Sequence, residues 1–359
     1  MTVLESFHAN HGATFEERGG RTVPRHYGRP ERTHQAVRNG VGIVEMAYGV
    51  LTITGDDRVE YVDNVVSNRV PESDGEGRYA LLCDPQGRIE LDLYIYNAGE
   101  RLLLFTPPGR ARGLAEEWRE KVFIQDVGID VASDDLSVLG VHGPKATEKV
   151  ASVLNKIGVP EGSLVFDRGS INDVGVTVIA ADDPTGEDGY EIVCSAAESE
   201  AVMDALINYG TGAVPFGTRT WETLTLEAGT PLFESELEGR LPNVLGLRNA
   251  VDFEKGCFVG QEVISRVENR GEPSRRLVGL RCEALPEGGT AVFDGEAVGE
   301  VTRAIESPSL GEPIAFALVE YGLEGGELTI GAEGASATVA ELPFVEGSGR
   351  SARIPEYAE

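Results

Sequence analysis

The stretch Lys255-Gly256-Cys257-Phe258-Val259-Gly260-Gln261-Glu262 is the sharpest chemical feature of this sequence. A thiol two residues after a lysine can have its thiolate favoured by the ammonium, which is what a reactive cysteine needs. Gly256 and Gly260 suggest a turn that brings the backbone close to another group. Gln261 and Glu262 add polar groups. The competing reading is an inert, buried thiol beside a turn. A second feature is Thr185-Gly186-Glu187-Asp188-Gly189-Tyr190-Glu191, a turn running into a strand. A carboxylate at Glu191 can accept paired N–H donors from an aminopyrimidine ring. The plainer reading is an exposed strand-end glutamate. His8 and His11 share an i, i+3 spacing on a glycine-flanked segment, so a surface role is expected there and no metal site. The sequence has no GxxxxGK[ST] loop, no HExxH, no GxSxG elbow and no Rossmann fingerprint after a strand.

The elements that must position these groups fall into three zones. In residues 1–144, periodicity predicts a helix over 32–39 and a strand over 49–54. A helix follows Gly55-Asp56, capped by Asp56 or Asp57, with Val59, Val62, Val65 and Val66 on its apolar face. Strands over 79–83 and 89–96 flank the turn Asp84-Pro85-Gln86-Gly87. A strand over 101–105 and an amphipathic helix over 111–121 complete the zone. Residues 145–272 repeat the alternation, with helices near 145–157 and 198–209 and strands near 163–180 and 190–194. Such runs read as α+β, split-βαβ units. From about Pro273 the chain has short apolar runs at 277–281, 291–293, 298–304, 314–319, 328–330 and 337–342, the pattern of a small β-barrel. The expected division is a 1–272 region of two α+β units with a boundary near 144, partly discontinuous, a barrel over 273–346, and a tail over 347–359.

Composition limits the partners. Among 359 residues, Asp and Glu number 60 against 31 Lys plus Arg, a net charge of −29, and the acids are dispersed rather than blocked. Binding to nucleic acid or to an anionic membrane is not expected, since both need basic patches. Dispersed acids whose repulsion is screened by salt suggest the salt-rich cytoplasm of a halophile. Cys83, Cys194, Cys257 and Cys282 are far apart and form no CxxC, so reduced thiols and a cytoplasmic location are expected. No run approaches the ~18 apolar residues of a membrane span.

The collinear order of several segments resembles the tetrahydrofolate-binding superfamily of the glycine-cleavage T-protein. Among them are His34-Gln35-Ala36-Val37-Arg38-Asn39, Ile53-Thr54-Gly55-Asp56, Tyr79-Ala80-Leu81-Leu82, His142-Gly143-Pro144-Lys145-Ala146, Leu226-Glu227-Ala228-Gly229 and Gly299-Glu300-Val301-Thr302. The resemblance implies two ferredoxin-like units and a C-terminal β-barrel around a central folate pocket. It implies that Glu191 holds the pterin, with Tyr79, Tyr96, Asp92 and Tyr48 lining the pocket and Arg219 meeting the acidic folate tail. Residues 255–262 are similar to the signature of the YgfZ branch, which would make Cys257, supported by Lys255, the reactive group. Leu91 falls where T-proteins carry the first of two aspartates, which argues against glycine cleavage, because leucine cannot relay a proton. The expectation is therefore a YgfZ-type tetrahydrofolate-binding protein that assists iron–sulfur protein maturation or repair, with iron–sulfur clients as partners and its status as an enzyme open. The alternative is a folate-dependent aminomethyltransferase or demethylase.

Overall fold

The structure is a computed structural model that describes residues 2–323, 325–332 and 334–357. The sheets form where β-branched and aromatic runs meet turn residues. The five-stranded antiparallel sheet runs Gly77–Cys83, Ile89–Asn97, Arg101–Thr106, Gly49–Thr54, Gly128–Val131 in spatial order. Its first hairpin closes at the expected turn, where the Asp84 carboxylate accepts the N–H groups of Gln86 and Arg88, both at 2.8 Å. One face is covered by the helix Ala111–Lys121, whose Leu114, Ala115 and Trp118 are buried. The Tyr61 hydroxyl donates to the Trp118 carbonyl at 3.1 Å, tying the helix Arg58–Asp63 to it. Asp57 sits at the N-cap of that short helix but does not cap it. Its carboxylate accepts the Asp126 N–H instead, and the Asp126 carboxylate accepts the Asp56 N–H, so these acids join two loops.

The second sheet has six strands in the order Phe166–Ile171, Val174–Ala180, Gly189–Ser195, Leu136–His142, Gly42–Glu45, Val214–Pro215. Only the last pair is parallel. Gly42–Glu45 pairs antiparallel with Leu136–His142, so the chain leaves this sheet after residue 45, builds the whole five-stranded sheet, and returns at 136. The boundary expected near 144 is therefore displaced. The strand before it belongs to the second unit, because its hydrogen-bond partners do.

The third body is a closed barrel of Arg275–Cys282, Glu312–Glu320, Glu296–Ser307, Ala291–Asp294, Glu327–Ile330 and Ala335–Ala340, one strand for each of the apolar runs. Closure removes the unpaired edges that such short strands would otherwise expose. The mixed α+β class with a C-terminal barrel is thus as expected. Residues 347–357 are not a loose tail. Ala352 donates to the Asp182 carbonyl, Glu356 to Gly246, and the Tyr357 hydroxyl to Val244, so the segment crosses back over both α+β units.

Candidate functional site

A cavity of about 140 Å³ opens where the two sheets, the helix Thr218–Glu227 and the returning C-terminal segment meet. Its wall includes Tyr48, Asp92, Tyr94, Phe105, Trp221 and Arg353. Strand geometry dictates which residues face it. Residues directly opposite one another on neighbouring strands share a face, and Tyr94 lies between Tyr79 and Phe105. Period-two alternation adds Asp92 and Tyr96 to the same face. Leu91 is turned to the other face, opposite Leu82. Gly77 lies opposite Tyr96, and a Cβ there would meet the Tyr96 ring at 2.4 Å, so only glycine lets that ring lie flat across the sheet. Each such ring buries on the order of 150–250 Å², so this face is a rigid aromatic floor.

Charged groups stand on that floor. The Tyr79 hydroxyl donates to Asp92 Oδ2 at 3.0 Å, and the Tyr94 hydroxyl bonds both Asp182 oxygens at 2.8 and 3.0 Å. The Arg353 guanidinium lies over the Tyr79 and Tyr94 rings, 5.4 and 5.7 Å from their centroids. It is 3.4 Å from Asp182 and 3.9 Å from Asp92. Burial works against its charge, but Tyr94, Asp182, Tyr79 and Asp92 outweigh that and hold it protonated. Burial raises the Asp92 carboxyl above the ordinary aspartate range, although Arg353 and the Tyr79 hydroxyl pull it back. Glu191 is 4 % exposed. Tyr48 donates to its Oε1 at 2.8 Å, and its Oε2 has no partner. Burial pushes this carboxyl up to about 7, with Asp182 adding to the rise and Tyr48 and Arg353 opposing it.

The residues expected from the sequence are placed unevenly. Tyr48 and Asp92 line the cavity, Glu191 and Tyr79 are hydrogen-bonded to them from behind its wall, and Tyr96 packs beside Tyr94 in the same layer. Arg219 does not join them. On the helix Thr218–Glu227 the face carrying Thr218, Trp221 and Glu222 meets the cavity. Arg219 and Thr223, four residues apart on another face, line a separate depression with His34 and Pro308. Sequence reasoning missed Arg353 and Asp182. Asp182 follows the strand Val174–Ala180, a strand-end position that could have drawn notice, but no periodicity marks Arg353. His8, expected at the surface, is fully buried between Glu45 and the Tyr27 hydroxyl, each at 2.7 Å.

Arg353 is delivered by an ion network. The Glu187 carboxylate accepts the Ser348 N–H at 2.9 Å and pairs with Arg38 at 2.9 Å. Arg38 and His34 both pair with Glu227, at 2.9 and 2.8 Å. Burial would raise the Glu227 carboxyl, but His34, Arg38 and Ser307 bring it down to about 2. The network thereby fixes the helix Pro30–Arg38, the 182–188 loop, the barrel loop at Ser307 and the C-terminal segment to one another.

Lys255 and Cys257 lie apart from the cavity wall. The Lys255 ammonium is buried and donates to the carbonyls of Asp63, Val66 and Asn68 at 2.6, 3.0 and 2.9 Å. These carbonyls end the helix Arg58–Asp63 and the turn after it, groups that a lysine commonly satisfies. Gly260, at φ +84, lets the next helix start with its backbone against Asp84 and Gly87, where a Cβ would meet Asp84 O at 2.6 Å. The stretch 255–262 is therefore a clamp on the first unit, and Cys257 is exposed on its outside. Lys255→Met should cost about 3 kcal/mol in urea unfolding, because it strands buried carbonyls. Cys257→Ser should stay within about 0.5 kcal/mol. A neutral Lys255→Met would refute the clamp.

Among the described residues, no helix is long and apolar enough to cross a membrane. Comparison with known proteins agrees with the fold. Residues 4–255 match the GCVT N-terminal domain and residues 275–346 the glycine cleavage T-protein C-terminal barrel domain. The crystal structure of glycine cleavage system aminomethyltransferase T from Bartonella henselae superposes with a TM-score of 0.86 at 24 % identity, over 97 % of this chain and 98 % of that one. The aminomethyltransferase of Saccharopolyspora erythraea is 32 % identical over 96 % of this chain and 97 % of its own length. That of Bacillus subtilis is 30 % identical over 89 % and 90 %. These relatives overturn the YgfZ-type reading and its iron–sulfur role. Residues 255–262 clamp the first unit, and Asp92, next to Leu91, presents its carboxylate to the cavity. The chain belongs to the glycine cleavage T-protein family.

Proposed function

We propose that this chain is a tetrahydrofolate-dependent aminomethyltransferase. The observation that carries the reading is the unpartnered Oε2 of buried Glu191. A buried acceptor left without a donor costs about 1–3 kcal/mol, and a ligand bearing adjacent N–H groups relieves it. The amino and ring N–H groups of a tetrahydropterin are such a pair. The cavity-lining rings of Tyr94 and Phe105, backed by the buried Tyr79 and Tyr96, suit a flat bicyclic ring. Asp92, with its proton affinity raised by burial, holds or passes a proton while the aminomethyl carbon bonds two folate nitrogens and its bonds to the carrier and to the amine break, the protons of those nitrogens going to the released carrier group and to ammonia. Arg18 lines the cavity and Arg219 does not, so Arg18 takes the role at the acidic folate tail. The aminomethyl donor is presented by a partner protein. All the cysteines are unpaired, which supports a reducing, cytoplasmic setting.

Calorimetric titration with 5-formyltetrahydrofolate between pH 6 and 8.5 tests the ligand assignment. Only the carboxylate form of Glu191 accepts two N–H donors. Its proton must leave for binding, so affinity rises with pH through about 7 and levels off above it. The expected slope below that point is about tenfold per pH unit. Binding that is absent, or flat across this range, would overturn the assignment.

A further inference from the structure

We propose that Tyr48 is a gate over Glu191: it stands at the pterin end of the cavity, making the contacts that the ligand would make, and the incoming ring displaces it. The proposal rests on Glu191 being the pterin anchor. Tyr48 lines the cavity, whereas Glu191 does not. The Tyr48 hydroxyl donates to Glu191 Oε1 at 2.8 Å. Its ring stacks on Phe105, with centroids 5.3 Å apart and planes at 17°, and meets Tyr94 edge-on at 6.2 Å. A pterin needs the same things from this pocket, an aromatic partner and a hydrogen bond to Glu191. One side chain, Tyr48, makes both contacts in this structure, and it occupies the approach in doing so.

The gate's movement is a side-chain rotation. Tyr48 ends the 46–48 connection that carries the chain from one sheet to the other. Its carbonyl accepts Arg21 Nη1 at 3.2 Å, and Gly49 beyond it is already paired in the strand Gly49–Thr54, so the backbone is held on both sides. Only Oε1 of Glu191 is occupied by the gate. Oε2 stays open, so an arriving N–H can bond it first and then compete for Oε1. The other groups facing this carboxylate are Asp182, Arg353 and Tyr96, which belong to different elements and remain when Tyr48 swings away.

Tyr48→Phe separates the gate from the wall, because it keeps the ring and removes the hydroxyl. At pH 8.5, where Glu191 is ionised in both proteins, the variant should bind 5-formyltetrahydrofolate about five- to tenfold more tightly, since the competing bond to a charged acceptor is gone. The pH midpoint of binding should also move upward, because the Tyr48 hydroxyl favours the carboxylate form. The midpoint shift reports the bond to Glu191 and would accompany any tyrosine there, whereas the tighter binding at pH 8.5 is specific to a gate; unchanged thermal unfolding confirms that the variant is folded. Equal or weaker binding at pH 8.5 would overturn the gate and make the hydroxyl part of the bound site. If the wild-type protein itself fails to bind, the Glu191 assignment fails instead.

Discussion

Asp92→Asn should lower aminomethyl transfer to tetrahydrofolate by about 10²- to 10⁴-fold, the usual worth of a positioned proton-transfer group. Its affinity for 5-formyltetrahydrofolate should stay within a few fold. The asparagine has nearly the same shape and keeps an oxygen to accept the Tyr79 hydroxyl at 3.0 Å, so the aromatic floor is preserved. What it loses is the ability to take up and release a proton. Asp92 suits that task because burial raises its proton affinity while Arg353, at 3.9 Å, limits the rise. The measurement is steady-state turnover with an aminomethyl-loaded carrier protein, alongside calorimetry on the same variant. Full turnover in Asp92→Asn would remove Asp92 from the chemistry and leave it a packing role.

The same residue shows where the sequence misleads. Leucine at 91 argues against a proton relay at that position, yet Asp92 already belongs to the expected pocket, and strand alternation turns residue 92 rather than 91 to the cavity. That register depends on pairing with Tyr79 and Leu81 across the hairpin, which no single strand reveals. The barrel was legible because each short strand is an apolar run between turns, and the 84–87 hairpin because its turn chemistry is local. The boundary near 144 was not, since the pairing of 42–45 with 136–142 spans about a quarter of the chain. Lys255 looked chemical because it lies near a cysteine in sequence. Its burial among the carbonyls after residue 62 is a tertiary fact. Arg219 and Trp221 are two residues apart, but helical geometry sends them to different cavities.

Arg353 gives the largest expected effect on stability. Arg353→Met should cost about 3–5 kcal/mol at pH 8 in urea unfolding, the range for removing one partner from a buried ionic cluster. Arg353 is 5 % exposed, and its guanidinium pairs with both Asp92 and Asp182. Methionine fills much of the same volume over the Tyr79 and Tyr94 rings, so the loss reports charge more than packing. The pH dependence follows from Asp92. Its folded-state pKa already lies above the ordinary 3.8, and without Arg353 it rises further. The folded variant then holds a proton that the unfolded chain has released, so its stability falls as pH rises through the carboxylate range and is partly regained on acidification. The deficit relative to wild type should therefore shrink between pH 8 and pH 5. A deficit below about 1 kcal/mol would mean that Ser348, Ala352, Glu356 and Tyr357 hold the C-terminal segment without help from the cavity. A deficit that grows on acidification would mean that Asp92 is not the group left uncompensated.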